Sequence, residues 1–445
     1  MTKKNLHRDT LAIHAGHVVD TDTNSRAVPL YQTSAFTFNS PEHAASLFEL
    51  KTPGNIYTRL MNPTTDILEK RIAAMDGGVA ALALASGQSA IFLTLMNLMK
   101  QGQNFVTSPA VYGGTSSLFN NTLSRLGIET RWTELDSAEK IEAAIDENTR
   151  FIYCESIGNP KNEVLDFEMI AEVAHRHGLP LVMDNTVSPY GFRPFEHGVD
   201  ITIYSLTKYI CGHGTSMGGI IVDSGKFDWT GKKYGFPNKF PEFTGPDPAY
   251  HGLIFYDHFG GDSVKDETGT VINPAFIARA RCCLLRDWGP AISPFNSWLT
   301  LQGLETLPLR WPRICETAQK IATWLEAHPE VAWVNYPGLK SSKSYRNLQK
   351  YMNGNGGGII GFGIRGGMEA GKKLIQAVKL FSHVTNIGDV HSLISHPAST
   401  THQQLSEEEQ LASGVTPDFL RLSIGLENAE DLIADLSQAI SSCRQ

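Results

Sequence analysis

Short apolar runs recur through the first half of the chain, each followed by turn formers and then by a stretch of helical periodicity. Residues 79–84, 104–108, 127–135, 150–156, 179–186 and 201–204 read as strands, rich in small, β-branched and aromatic residues. Residues 90–100, the turn into a helix at 109–119, and residues 137–145 and 167–178 read as the helices between them, while Pro63, Thr64 and Thr65 mark the start of an earlier one. Strand and helix in alternation predict an α/β fold with a mostly parallel sheet covered by helices. Residues 224–275 break the pattern with aromatics, prolines and glycines, which predicts an ordered lid or an interface piece inserted into the domain. Helical text resumes at Phe276, and Pro308 and Pro312 are expected to kink or split it, so a domain boundary is placed near residue 310. Beyond it, strands at 331–338, 357–364 and 419–427 mix with helices at 369–381 and 429–443, a small α+β domain. Residues 1–61 are polar and turn-rich, an arm with too little apolar surface to fold alone. The expected organisation is therefore an arm at 1–61, a main domain at 62–310 and a C-terminal domain at 311–445.

Composition narrows the class. With 445 residues, 41% hydrophobic and 19% charged, the chain can build sizeable cores and is not of disordered type. A net charge of −8 gives no global attraction for nucleic acid or anionic membrane, and no basic stripe interleaved with aromatics is present. The six cysteines form no CxxC and no regular spacing, and no apolar segment follows the N-terminal lysines, so a cytoplasmic protein without structural metal or disulfides is expected. His175 and His177 read as exposed, without metal-ligand company.

The candidate chemistry sits at strand ends. In ITIYSLTKYICGHGTSMGG, from Ile201, a buried strand breaks into hydroxyls, a lysine and glycines. A lysine there can shed water, lower its pKa and act as an imine-forming nucleophile, while Ser205 and Thr207 can bind a phosphate. Read alone, Lys208 is better taken as a solvated surface residue, as most lysines are. The preceding strand runs into Asp184, either a turn aspartate or a second reactive group aimed at the same crevice. A lysine imine paired with an acid that keeps a pyridine nitrogen protonated is how proteins use pyridoxal phosphate. Ser86-Gly87-Gln88 lies at a strand-to-helix turn, where free N–H groups and the helix dipole favour an anion. Tyr112 follows another strand as a ligand contact or a core cap. Asn159 precedes a proline as a turn pair or a ligand. Arg421, on an otherwise apolar strand, suits a substrate carboxylate or a structural ion pair.

Together these residues resemble the Cys/Met-metabolism pyridoxal-phosphate enzymes, a family that includes cystathionine γ-synthase, methionine γ-lyase and O-acetylhomoserine sulfhydrylase. The resemblance runs from VPLYQTSAF at Val28 to RLSIGLE at Arg421. It implies a fold type I transferase (aspartate-aminotransferase-like), with pyridoxal 5'-phosphate as a Schiff base on Lys208 and Asp184 at the ring nitrogen. It further implies Tyr112 stacked on the ring and active in acid-base steps, Asn159 at the ring hydroxyl, and Ser86, Gly87, Gln88, Ser205 and Thr207 around the phosphate. Tyr57 and Arg59 would reach a neighbouring subunit's phosphate, otherwise Arg59 being a surface charge. Arg421 and Asn386 would meet the substrate carboxylate. The insertion at 224–275, Asn386 where the lyases carry serine, and Gly113-Gly114 where they carry a cysteine two residues after the tyrosine resemble the sulfhydrylase branch. What that implies is γ-replacement on O-acetylhomoserine by sulfide or carrier-delivered sulfur, giving homocysteine for methionine biosynthesis. γ-Elimination, cystathionine synthesis and a non-catalytic cofactor-binding assembly protein are the alternatives, and the resemblance implies a homotetramer of dimers.

Overall fold

The computed structural model describes residues 6–399 and 414–443. Among these, the main sheet has seven strands in the order β1-β7-β6-β5-β4-β2-β3. The strands are β1 (Ala80–Leu84), β2 (Asn104–Thr107), β3 (Glu129–Trp132), β4 (Thr149–Glu155), β5 (Leu181–Asp184), β6 (Ile201–Ser205) and β7 (Gly219–Asp223). Strands β2 to β6 pair in parallel, whereas β7 runs antiparallel between β1 and β6. Helices cover both faces, so the strands are buried on both sides and read as continuous apolar runs. The sequence reading missed β7, because its GIIVD follows directly on the glycine-rich turn after Lys208 and joins the sheet only by long-range pairing.

A second sheet has the order β10-β11-β12-β9-β8. It comprises β8 (Val331–Asn335), β9 (Ile359–Ile364), β10 (Ser382–His383), β11 (Leu393–Ser395) and β12 (Phe419–Ser423). The helix Pro294–Glu326 joins the two sheets as one 33-residue element. It runs through Pro308 and Pro312 without splitting. Leu301, Leu304, Leu307, Trp311 and Ile314 of its first part are buried against the main sheet, and Ala318, Ile321, Ala322 and Leu325 against the second. Burial of this apolar face on both sheets outweighs the local cost of the prolines.

Residues 224–275 are built into the main core. Trp229 lies 4.4 Å from the Phe243 ring centroid and stacks on Phe276 at 5.5 Å, and Phe227 and Phe240 pack edge-on to it. The aromatic content of the segment thus serves packing. The same segment corrects the expectation for His175: its ring stacks on Tyr234 at 5.7 Å and shares a 2.8 Å hydrogen bond with Asp200, so it is half-buried.

The arm is tied down at several points: the carbonyls of Ala15, Val28 and Leu50 accept from Arg71, Trp298 and His258, and the anchor nearest the site is Arg8. Arg8, on the helix Arg8–His14, donates to Asp76 Oδ1 at 2.9 Å and to the carbonyls of Tyr190 (2.7 Å), Pro189 (2.9 Å) and Phe192 (3.3 Å). Asp76 also accepts from the Tyr204 hydroxyl, which accepts in turn from Asn185 Nδ2 at 3.1 Å. Asn185 adjoins Asp184 and Tyr204 adjoins Ser205, so this network lies directly behind two strand ends that carry candidate chemistry.

Candidate active site

The C-terminal ends of β4, β5 and β6 open into a cavity of about 280 Å³. Ser86, Gly87, Gln88, Tyr112, Asn159, Asp184, Ser205, Thr207, Lys208, Asn386 and Arg421 all line it. The structure therefore brings together in one crevice residues that stand as far apart in sequence as 86 and 421. Tyr57 and Arg59 lie outside the cavity of their own chain. Tyr57 is 44% exposed, and the Arg59 guanidinium stands 5.6 Å from its ring centroid.

Lys208 leaves β6 through a tight turn, and its Nζ donates to Asn386 Oδ1 at 2.6 Å. Burial, aided by the positive charge of Arg421, lowers its pKa to about 8. Arg421, on β12, is itself buried; it donates to Asn159 Oδ1 and to the Asn386 carbonyl, both at 3.4 Å. Long, neutral contacts leave most of its fork free for an anion, and burial pushes its pKa down.

Asp184 stands at the end of β5 with Oδ1 accepting from the Thr186 N–H at 2.8 Å. Burial raises its pKa to about 6. Glu155, its register partner on β4, accepts from the backbone N–H groups of Tyr112 (2.6 Å) and Asn159 (3.4 Å). Burial, then the charge of Asp184, pushes the Glu155 carboxyl well up. Two carboxyls in one buried place resist double ionisation, so a cation beside Asp184 would lower the cost of both.

The helix Gly87–Leu98 starts at the cavity floor. The Ser86 hydroxyl caps it by accepting from the Ser89 N–H at 3.1 Å, leaving the N–H groups of Gly87 and Gln88 to face the cavity. Two glycines permit the approach. A Cβ on Gly219 would stand 2.0 Å from the Ser86 carbonyl oxygen, and one on Gly87 would stand 2.8 Å from Ser205 Cβ. Gln88 Nε2 donates to the Gly114 carbonyl at 2.9 Å, and a Cβ on Gly114 would come 2.5 Å from the Tyr112 ring. Gly114 thus lets Tyr112 lie along the cavity wall.

Sequence reasoning missed Glu155, Thr186, Met217 and the Thr385–Ile387 wall around Asn386. Thr186 holds the Ser205 N–H at 2.7 Å and so ties β5 to β6 at the site. Glu155 carries the same signal as Asp184, a carboxylate ending a buried strand, but reads in the sequence only as part of the strand 150–156, with Asn159 in the turn beyond it as the candidate.

Helix N–H groups and two hydroxyls that suit a phosphate, an amine of lowered pKa and a buried carboxyl at the strand ends are the arrangement expected of a pyridoxal-phosphate enzyme of fold type I. The described residues fit that cofactor: Gly87 and Gly219 let the start of the helix Gly87–Leu98 pack close against Ser205 and β7 beside the cavity, and a cation such as a protonated ring nitrogen would relieve the paired buried carboxyls. Comparison with known proteins agrees. The chain belongs to the Cys/Met metabolism PLP-dependent enzyme family, whose model matches residues 9–441. It is 52% identical over 441 residues to the O-acetyl-L-homoserine sulfhydrylase of Leptospira meyeri, covering 99% of this chain and 98% of that one. The O-acetyl-L-homoserine sulfhydrylase 1 of Thermus thermophilus is 47% identical over 97% of this chain and 99% of its own. Among solved structures, an O-acetylhomoserine (thiol)-lyase assigned as putative, from Campylobacter jejuni and carrying a pyridoxyl-lysine phosphate, superposes with a TM-score of 0.91 at 40% identity, covering 98% of this chain and 100% of that one. No helix among the described residues is long and apolar enough to cross a membrane.

Proposed function

We propose that this chain catalyses γ-replacement on O-acetylhomoserine: sulfide takes the place of the acetate at the γ-carbon, giving homocysteine and acetate. The observation that carries the reading is the Arg421–Asn386–Lys208 constellation, a free guanidinium fork beside a deprotonable amine, which suits an α-amino acid held by its carboxylate. Full-length relatives that bear the sulfhydrylase name support the choice of ester and nucleophile.

Bound pyridoxal phosphate supplies an electron-withdrawing ring that stabilises negative charge at the substrate's α-carbon. Ser205, Thr207 and the N–H groups of Gly87 and Gln88 would hold its phosphate, Asp184 its ring nitrogen, Asn159 its ring hydroxyl and Tyr112 its face. Arg421 orients the substrate through its carboxylate. Lys208 Nζ, with a pKa of about 8, removes the α-proton near neutral pH and returns it at the end. Tyr112, half-exposed on the wall, serves the acid-base steps. Buried Glu155 holds the backbone of Tyr112 and Asn159, and so their side chains, in register.

The assembly is part of the proposal. Tyr31, Phe38, Phe48 and Tyr57 present apolar surface along residues 31–57. We read this as the face that meets a second copy and brings Tyr57 and Arg59 to the partner's phosphate, in a homotetramer of such dimers. The test of function is a steady-state assay with O-acetylhomoserine, with and without sulfide, following homocysteine and 2-oxobutyrate separately. Homocysteine that requires sulfide is the expected result. 2-Oxobutyrate as the main product in both conditions would assign γ-elimination instead, and neither product would exclude both readings.

A further inference from the structure

Arg310 is a buried cation whose bonds all go to uncharged oxygens. It is 5% exposed, and burial lowers its pKa to about 10. Its Nη1 donates to the Tyr209 carbonyl at 2.8 Å and its Nη2 to the Ile210 carbonyl at 3.2 Å. The same Nη2 donates to the Gly303 carbonyl at 2.7 Å, and Nε to Thr306 Oγ1 at 3.1 Å. Tyr209 and Ile210 are the two residues immediately after Lys208. One guanidinium therefore fastens the turn that presents the reactive amine to the helix Pro294–Glu326.

The surrounding chain is shaped for this contact. Gly303 has no side chain because a Cβ there would lie 2.0 Å from the Cys211 carbonyl oxygen and 2.7 Å from that of Ile210. Gly212, at φ +75°, would put a Cβ 2.2 Å from Arg310 Nη1. Elsewhere in the turn, Gly212 N–H closes on the Lys208 carbonyl at 2.7 Å and Val390 N–H on the Gly212 carbonyl at 2.8 Å. Without Arg310, the Tyr209 and Ile210 carbonyls would lose a donor in a place closed to water, and the turn would open to satisfy them.

We propose that Arg310 is a positioning residue for the reaction: by holding the Tyr209 and Ile210 carbonyls it keeps Lys208 withdrawn from water and aimed into the cavity. This rests on reading Lys208 as the reactive amine, though not on the identity of the ester or the nucleophile. Desolvation is the leading reason the Lys208 pKa is low, so a turn that loosens lets water in and raises it.

The test is the pH dependence of Lys208 carbamylation by cyanate in the cofactor-free full-length protein, read by peptide mass spectrometry without substrate. In the unaltered chain the labelling midpoint falls near 8. In Arg310→Met the midpoint moves up and labelling at pH 7.5 falls about threefold, with Arg310→Lys between the two. A folded Arg310→Met with an unchanged midpoint and only a lower thermal midpoint would reduce Arg310 to a structural clamp and overturn the proposal. Should Arg310→Met fail to fold, Thr306→Val, which removes one acceptor of the guanidinium, decides: an upward midpoint shift supports positioning, and no shift overturns it. Because no substrate is present, this outcome is distinguishable from that of the product assay.

Discussion

Removing Arg8, the arm anchor that lies behind the site, is the most direct probe of how this molecule holds its site. Arg8→Met deletes one ion-pair bond and three bonds to carbonyls, and leaves Asp76, whose side chain is 2% exposed, with only the Tyr204 hydroxyl. Breaking a buried pair from one side costs about 3–5 kcal/mol. For a chain of this size, at about 2 cal/mol/K of unfolding entropy per residue, that corresponds to a thermal midpoint lower by roughly 3–5 °C. The loss has a pH signature. In the native chain burial already holds the Asp76 pKa above its unfolded value, with Arg8 pulling it back; without Arg8 it rises further. A raised carboxyl destabilises the fold as pH climbs above the unfolded pKa, up to about 1.4 kcal/mol per pH unit until the folded pKa is passed. Arg8→Met should therefore be closer to the parent at pH 5 than at pH 8, and Arg8→Met/Asp76→Asn should recover part of the loss at pH 8. Differential scanning calorimetry of the cofactor-loaded protein at both pH values, with hydrogen exchange over residues 8–14, measures this. A pH-independent change below about 1 °C, without increased exchange in that helix, would refute the reasoning.

Three further outcomes are expected. Gly219→Ala, whose Cβ would meet the Ser86 carbonyl oxygen at 2.0 Å, should push the helix N-terminus off the sheet and weaken pyridoxal phosphate binding at least tenfold, measured by spectroscopic titration of the cofactor-free protein. Lys208→Met should stabilise the cofactor-free chain at pH 7, with the gain shrinking between about pH 8 and the unfolded lysine pKa, because the native chain carries a buried ammonium below that window; a stability difference flat in pH would contradict it. If the arm completes a neighbour's site, mixed oligomers of Arg59→Ala and Lys208→Ala chains should regain activity that neither has alone, and no recovery after proven mixing would count against shared sites.

The parts legible in the sequence are those whose physics is local. A parallel strand buried on both faces must be apolar and must end in turn formers, so the strands before Asp184 and Lys208 announce themselves, and the polar residue at each end is easily noticed. What stayed hidden depends on partners distant in the chain. β7 lies between β1 and β6 only because of pairing across the sheet, and Glu155 acquires meaning only from Asp184 in the adjacent strand. His175 read as a surface residue because Tyr234, which covers it, comes from the insertion nearly sixty residues later. The two prolines were weighed by their local cost, whereas the helix that contains them is held by two cores.

That helix also sets an order of events during synthesis. Ala81, Ala83, Tyr204, Ile220 and Val222 of the main sheet share a core with Leu301, Leu304, Leu307 and Trp311. All seven strands of that sheet leave the ribosome before the residues that roof this face, and the second sheet, which needs the later turns of the same helix, is translated last. A nascent chain paused between residues 224 and 294 presents an apolar sheet face covered only in part, by the helix Pro63–Asp76 and the arm, the kind of state that chaperones bind and proteases cut. Slow translation in that window should therefore lower the yield of folded protein more than an equal delay after residue 326.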